Sequence, residues 1–129
     1  MLVFVAVSAD AQAYLGGSNG QNIGRIDSDG TIRNANGSSI GKIDRDGTVR
    51  NSNGASVGKI ESNGTIRGKN GSSIGKVDSD GTVRNGNGSS IGKVDNDGTI
   101  RNANGASIGK ASGVDKKLAA VIFFMNFFK

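Results

Sequence analysis

Apolar residues along this chain recur at a short fixed spacing, separated by glycine and polar residues. One copy of the pattern reads Ile40-Gly41-Lys42-Ile43-Asp44-Arg45-Asp46-Gly47-Thr48-Val49-Arg50-Asn51-Ser52-Asn53-Gly54-Ala55-Ser56. The 17-residue unit begins at Ile23, Ile40, Val57, Ile74 and Ile91, and a further copy starts at Ile108 and stops after Lys110. Such a period dictates an array of small, nearly identical modules. Within each, Ser39-Ile40-Gly41-Lys42-Ile43 and Thr48-Val49-Arg50 are rich in strand formers, and no helical period survives the glycines. Val49 alternates with polar neighbours and points inward. Ile40 and Ile43 lie three apart, so Gly41 is the place for a bulge or corner that turns both inward.

Asp-x-Asp-Gly and Asn-x-Asn-Gly punctuate the strands. Their last residues supply positive φ, and their carboxylates and amides bond the local backbone. The expected turn glycines are Gly30, Gly47, Gly81 and Gly98 after the acidic pairs, with Gly64 after Glu61 and Asn63, and Gly37, Gly54, Gly88 and Gly105 after the amide pairs, with Gly71 after Gly68 and Asn70. The chain is therefore all-β.

Two topologies use these strands. In a repeat β-solenoid each 17-residue unit is one coil. Three aliphatic columns, starting at Ile23, Ile26 and Ile32, then stack inside it, about 4.8 Å between coils. Asn36, Asn53, Asn70, Asn87 and Asn104 run as an amide ladder. The column Arg25, Lys42, Lys59, Lys76, Lys93 and Lys110 neutralises the column Asp27, Asp44, Glu61, Asp78 and Asp95, two residues along the same strand face. In the alternative, an antiparallel β-meander, each unit is a hairpin. A single sheet protects its apolar residues poorly and needs a second layer, so the solenoid is the expectation.

The ends depart from the period. Leu2 to Val7 is a short apolar run followed by Ala11-Gln12-Ala13. This reads as a secretory signal peptide over residues 1–13, truncated at its basic end or begun upstream, with Tyr14 the first mature residue. Tyr14-Leu15-Gly16-Gly17 aligns with Thr31-Ile32-Arg33-Asn34. The repeat domain is then 14–110. Residues 111–129 form a C-terminal cap or docking segment in which Val121, Ile122, Phe123, Phe124, Phe127 and Phe128 cover the open end of the array. The apolar stretch is too short for a transmembrane helix of about 20 residues.

Composition narrows the chemistry. The 129 residues include no Cys, Pro, Trp or His, so there is no disulfide framework and no imidazole or thiolate catalysis. The net charge of +5 is mild and the cations are matched by carboxylates at the same period, unlike a nucleic-acid surface. Asp27/Asp29, Asp44/Asp46, Asp78/Asp80 and Asp95/Asp97 are weak calcium candidates. They lack the twelve-residue loop with its terminal Glu, and Asx-type turns are the expected use. No cofactor is implied and no enzyme is expected.

Residues 14–110, read as strand, Gly/Asn turn and strand after a secretion signal, resemble exported bacterial short-repeat β-solenoid proteins of the curli-like functional-amyloid type. The resemblance is architectural and carries over no functional residue. It implies extracellular fibres, adhesion and biofilm matrix. The expected function is a non-enzymatic structural protein, secreted or at the cell surface, as a fibre subunit or rigid spacer. The alternative is a binding module for a polysaccharide or other periodic ligand. Its partners are further copies of itself or a surface polymer.

Overall fold

The computed structural model describes residues 13–125. The signal peptide expected over residues 1–13 lies outside this range except for Ala13, as do Phe127 and Phe128. The strands are β1 (Ala13–Gly17), β2 (Asn22–Ile26), β3 (Thr31–Asn34), β4 (Ser39–Ile43), β5 (Thr48–Asn51) and β6 (Ser56–Ile60). They continue with β7 (Thr65–Gly68), β8 (Ser73–Val77), β9 (Thr82–Asn85), β10 (Ser90–Val94), β11 (Thr99–Asn102) and β12 (Ser107–Ala111). One helix, α1 (Lys116–Phe124), follows.

Both turn motifs make hairpins. At 44–47 the Gly47 N–H donates to the Asp44 carbonyl at 3.0 Å and the Asp44 N–H donates to the Thr48 carbonyl at 2.8 Å. At 51–54 Gly54 and Asn51 repeat the pattern, with Ala55 as the closing acceptor. Gly47 and Gly54 hold φ of +94° and +85°, the left-handed conformation that closes a three-residue connection with a glycine bulge. Every neighbouring strand pair is consequently antiparallel, and β1 pairs with β12 (Leu15↔Ala111, Gly16↔Lys110), closing the sheet into a twelve-stranded barrel.

This overturns the solenoid, whose coils would stack equivalent strands in parallel. The second layer that a meander needs is supplied in two ways. The sheet curls until its inner face meets itself, and the C-terminal segment packs on that face. Outward residues such as Lys42, Thr48 and Arg50 are polar. No helix among the described residues is long and apolar enough to cross a membrane.

A bulge sits where Gly41 suggested. Ile32 faces Gly41 while Arg33 faces Ser39, leaving Ile40 as the extra residue. The bulge corrects one of the three columns. Ile26, Ile43, Ile60, Val77 and Val94, with Ile32, Val49, Ile66, Val83 and Ile100, are at most 4% exposed. Ile40, Val57, Ile74, Ile91 and Ile108 are only partly buried against that core, and Ile23 is 39% exposed.

Gly41, at the bulge, is buried, as are Gly58, Gly75, Gly92 and Gly109 at the same place in other units. Three of these glycines make room for the C-terminal segment. A Cβ at Gly92 would lie 2.4 Å from Phe124 Cζ, one at Gly109 2.6 Å from Phe123 Cε1, and one at Gly75 2.8 Å from Met125 Cε. Gly113, at φ +77°, turns the chain off the wall. Asp115 caps the helix by accepting from the Lys117 N–H at 2.8 Å. Leu118, Ala119, Ala120 and Val121 are then at most 1% exposed, with Ile122, Phe123 and Phe124 packed beside them. The segment expected to lie over the end of a stack is a helix set against the inner wall.

Candidate functional site: the polar turns and the barrel seam

Charges on the wall are paired differently from the expected columns. Arg50 donates from Nε to Asp44 Oδ2 at 2.8 Å and from Nη1 to the Gly54 carbonyl at 3.0 Å. One guanidinium thus ties an acidic turn to an amide turn at the opposite end of the strand, a use suited to its planar fork. Arg33, Arg84 and Arg101 do the same with Asp27, Asp78 and Asp95, and Arg67 pairs with Glu61 at 3.1 Å. The partner of each acid is therefore the Arg six residues on. Only Asp27 also meets the cation two residues before it, Arg25, at 3.1 Å. Lys42 lies directly across from Arg50, cation against cation.

The second acid of each pair does turn chemistry. Asp46 Oδ1 accepts from the Thr48 N–H at 2.9 Å, and Asp29, Asp80 and Asp97 accept in the same way from Thr31, Thr82 and Thr99. These bonds from the threonine N–H and hydroxyl hold all four carboxyls below the ordinary value of 3.8. Asp27 is lowered chiefly by its bond from Arg33. The eight calcium candidates are thus distributed among separate hairpins. Among the described residues no group of three or more His, Cys, Asp or Glu is placed to hold a metal ion.

The amide turns lie at the other end of the strands. Asn51 Oδ1 accepts from the Asn53 N–H at 3.0 Å and the Ala55 N–H at 3.1 Å, so this side chain is spent on the turn. Asn34, Asn85 and Asn102 repeat it. The expected ladder is not formed. Asn36, Asn53, Asn70, Asn87 and Asn104 sit at the exposed tips of separate hairpins. Joined by the turn at 17–20, these tips form a rim of six polar turns around one end of the barrel, five of them neutral and one carrying Lys69.

Two concave regions break the symmetry. A cavity of about 470 Å³ at the acidic-turn end is lined by Asn63, Ser79, Asn96, Asp115 and Lys116 among others. A second, of about 560 Å³, lies where β12, β1 and β2 meet, and Tyr14, Gly16, Asn22 and Lys110 line it. Tyr14 is 62% exposed there. The sequence reading aligned Tyr14 with Thr31 and Gly16 with Arg33 but drew no site from it. The signal was present: these are the positions where the chain leaves its own repeat.

No curated protein and no solved structure matches the chain. A family model does, that of the 5-fold beta-flower protein, over residues 13–129. The match takes in every strand and the C-terminal segment together, where the solenoid resemblance covered only the repeats. Barrel, repeated turns and inner helix are thus one family unit, and the chain belongs to the 5-fold beta-flower protein family.

Proposed function

We propose that this protein is a non-enzymatic binding module for a polysaccharide or comparable repeating polymer, engaged through the rim of amide turns. The observation that supports the reading is the rim itself: Asn36, Asn53, Asn70, Asn87 and Asn104 exposed at equivalent hairpin tips on a closed scaffold. A primary amide offers a donor and an acceptor without charge, which suits sugar hydroxyls. Each contact is weak in water. Repetition converts several weak contacts into useful avidity when the ligand repeats as well. Such a polymer lies outside the cell or on its surface, where the sequence expected this chain.

One physical argument for a fibre subunit is growth by strand addition at open sheet edges. With β1 paired to β12 that argument no longer applies. Retention on insoluble cellulose, chitin and pectin tests the reading. The variant with all five tip asparagines changed to alanine is expected to melt with the parent and to elute early. Equal retention of the two proteins, or no retention of the parent on any matrix, would overturn it.

A further inference from the structure

We infer that the groove at the barrel seam is a subsite for a hexopyranose ring, with Tyr14 as its stacking platform; this rests on the polysaccharide reading and adds a second contact surface to it. Elsewhere on the wall the unit places Thr, Ile, Arg and Asn in the strand that follows each acidic turn, as in Thr48-Val49-Arg50-Asn51 with Val for Ile. In β1 the same places hold Tyr14, Leu15, Gly16 and Gly17. Leu15 keeps the core, at 3% exposed. The outward residues are the ones that changed. Gly16 removes the guanidinium that covers the wall in other units, and Tyr14 replaces a threonine with an exposed ring.

The register sets the geometry. Gly16 lies opposite Lys110 on one side and Asn22 on the other. The groove therefore has a bare glycine floor, an ammonium on one bank and an amide on the other, with Tyr14 two residues along the same strand. Asn22 Oδ1 already accepts from the Gly24 N–H at 3.0 Å, which fixes the amide with its NH₂ outward. A pyranose has the matching surfaces. Its axial C–H face is apolar and packs on an aromatic ring, while its rim of hydroxyls accepts from Lys110 and Asn22. The volume of about 560 Å³ is within the range of small-ligand clefts. A flat protein partner would make little use of a concave floor with one aromatic beside it.

The test uses the protein's own fluorophore. Tyr14 is the one tyrosine and there is no tryptophan, so intrinsic emission reports this groove directly. Hexasaccharides of glucose, N-acetylglucosamine and galacturonic acid are titrated in turn, with calorimetry in parallel. At least one is expected to change Tyr14 emission in a saturable way. Gly16→Arg restores the residue of the other units and fills the groove. It is expected to fold with the parent's melting temperature and to bind about tenfold more weakly or worse. If Gly16→Arg does not fold, Tyr14→Leu read by calorimetry decides the same point.

The failures are separable. Unchanged emission with all three sugars, while the protein is still retained on a polysaccharide matrix, overturns the groove and leaves the rim standing. A sugar response that Gly16→Arg or Tyr14→Leu leaves intact overturns the groove as well. No emission change and no retention overturns both. Emission that varies with protein concentration alone makes the groove a contact between copies of this chain, which also overturns it.

Discussion

At the scale of single residues, the paired acids of each turn divide the work, and the division makes stability depend on pH. Asp29, Asp46, Asp80 and Asp97 are held below the ordinary carboxylate value, first by the backbone N–H of the threonine two residues on and then by its hydroxyl. A carboxyl that is more acidic folded than unfolded adds stability above its unfolded value, and that stability is lost as pH falls through the lowered folded value. Melting temperature should therefore drop as pH falls from about 4 towards about 2. The third unit shows how to remove the effect, since Asn63 Oδ1 makes the same bond to the Thr65 N–H at 2.9 Å without a charge. Changing Asp46, Asp80 and Asp97 to Asn should leave a folded protein at neutral pH whose acid-induced loss is smaller. Identical losses in circular-dichroism melts across that range would refute the assignment.

At the scale of elements, two sets of glycines with nearly the same φ do different jobs. Gly88, at φ +89°, has nothing within 4 Å of a Cβ built on it. Gly81, at φ +95°, would place a Cβ 2.1 Å from the Val94 carbonyl of the next hairpin, and its own carbonyl accepts from the Val94 N–H at 2.9 Å. Gly88→Ala should cost only the left-handed strain, about 1–2 kcal/mol. Gly81→Ala adds a backbone clash between hairpins and should cost clearly more, up to loss of folding. Chemical denaturation gives both values, and equal losses would contradict the close approach. The strands and turns were legible, because Asp-Gly, Asn-Gly and the β-branched runs are local signals, but the hairpins they make belonged only to the meander alternative. The bulge beside Gly41 and two of the three apolar columns were legible too. The partner of Asp44 was not. The in-strand rule pointed to Lys42, while the observed bond uses Arg50, whose reach along the wall also satisfies the Gly54 carbonyl.

At the scale of the whole molecule, the period alone could not decide between solenoid and barrel. Both use the same strands and turns, and the deciding residues lie outside the period. Ala13 to Gly17 gives the strand that closes on β12, and Lys116 to Phe124 gives the helix that fills the inner face. A linear array gains stability with each added unit. A closed one has a preferred number, because barrel diameter grows with strand count while a helix keeps a width of about 10–12 Å. Inserting a second copy of residues 40–56, or deleting one, should lower the melting temperature and expose dye-binding apolar surface. A melting temperature that rises with each unit would refute the argument. The seam also sets an order of events on the ribosome. β1 is synthesised first and its partner β12 last, with the helix later still. The growing chain must carry an unsealed sheet, its apolar face bare, until β12 and α1 have emerged. The interval most open to aggregation is therefore the one between β11 and α1, and a stall there strands an open sheet with neither its closing strand nor its interior in place.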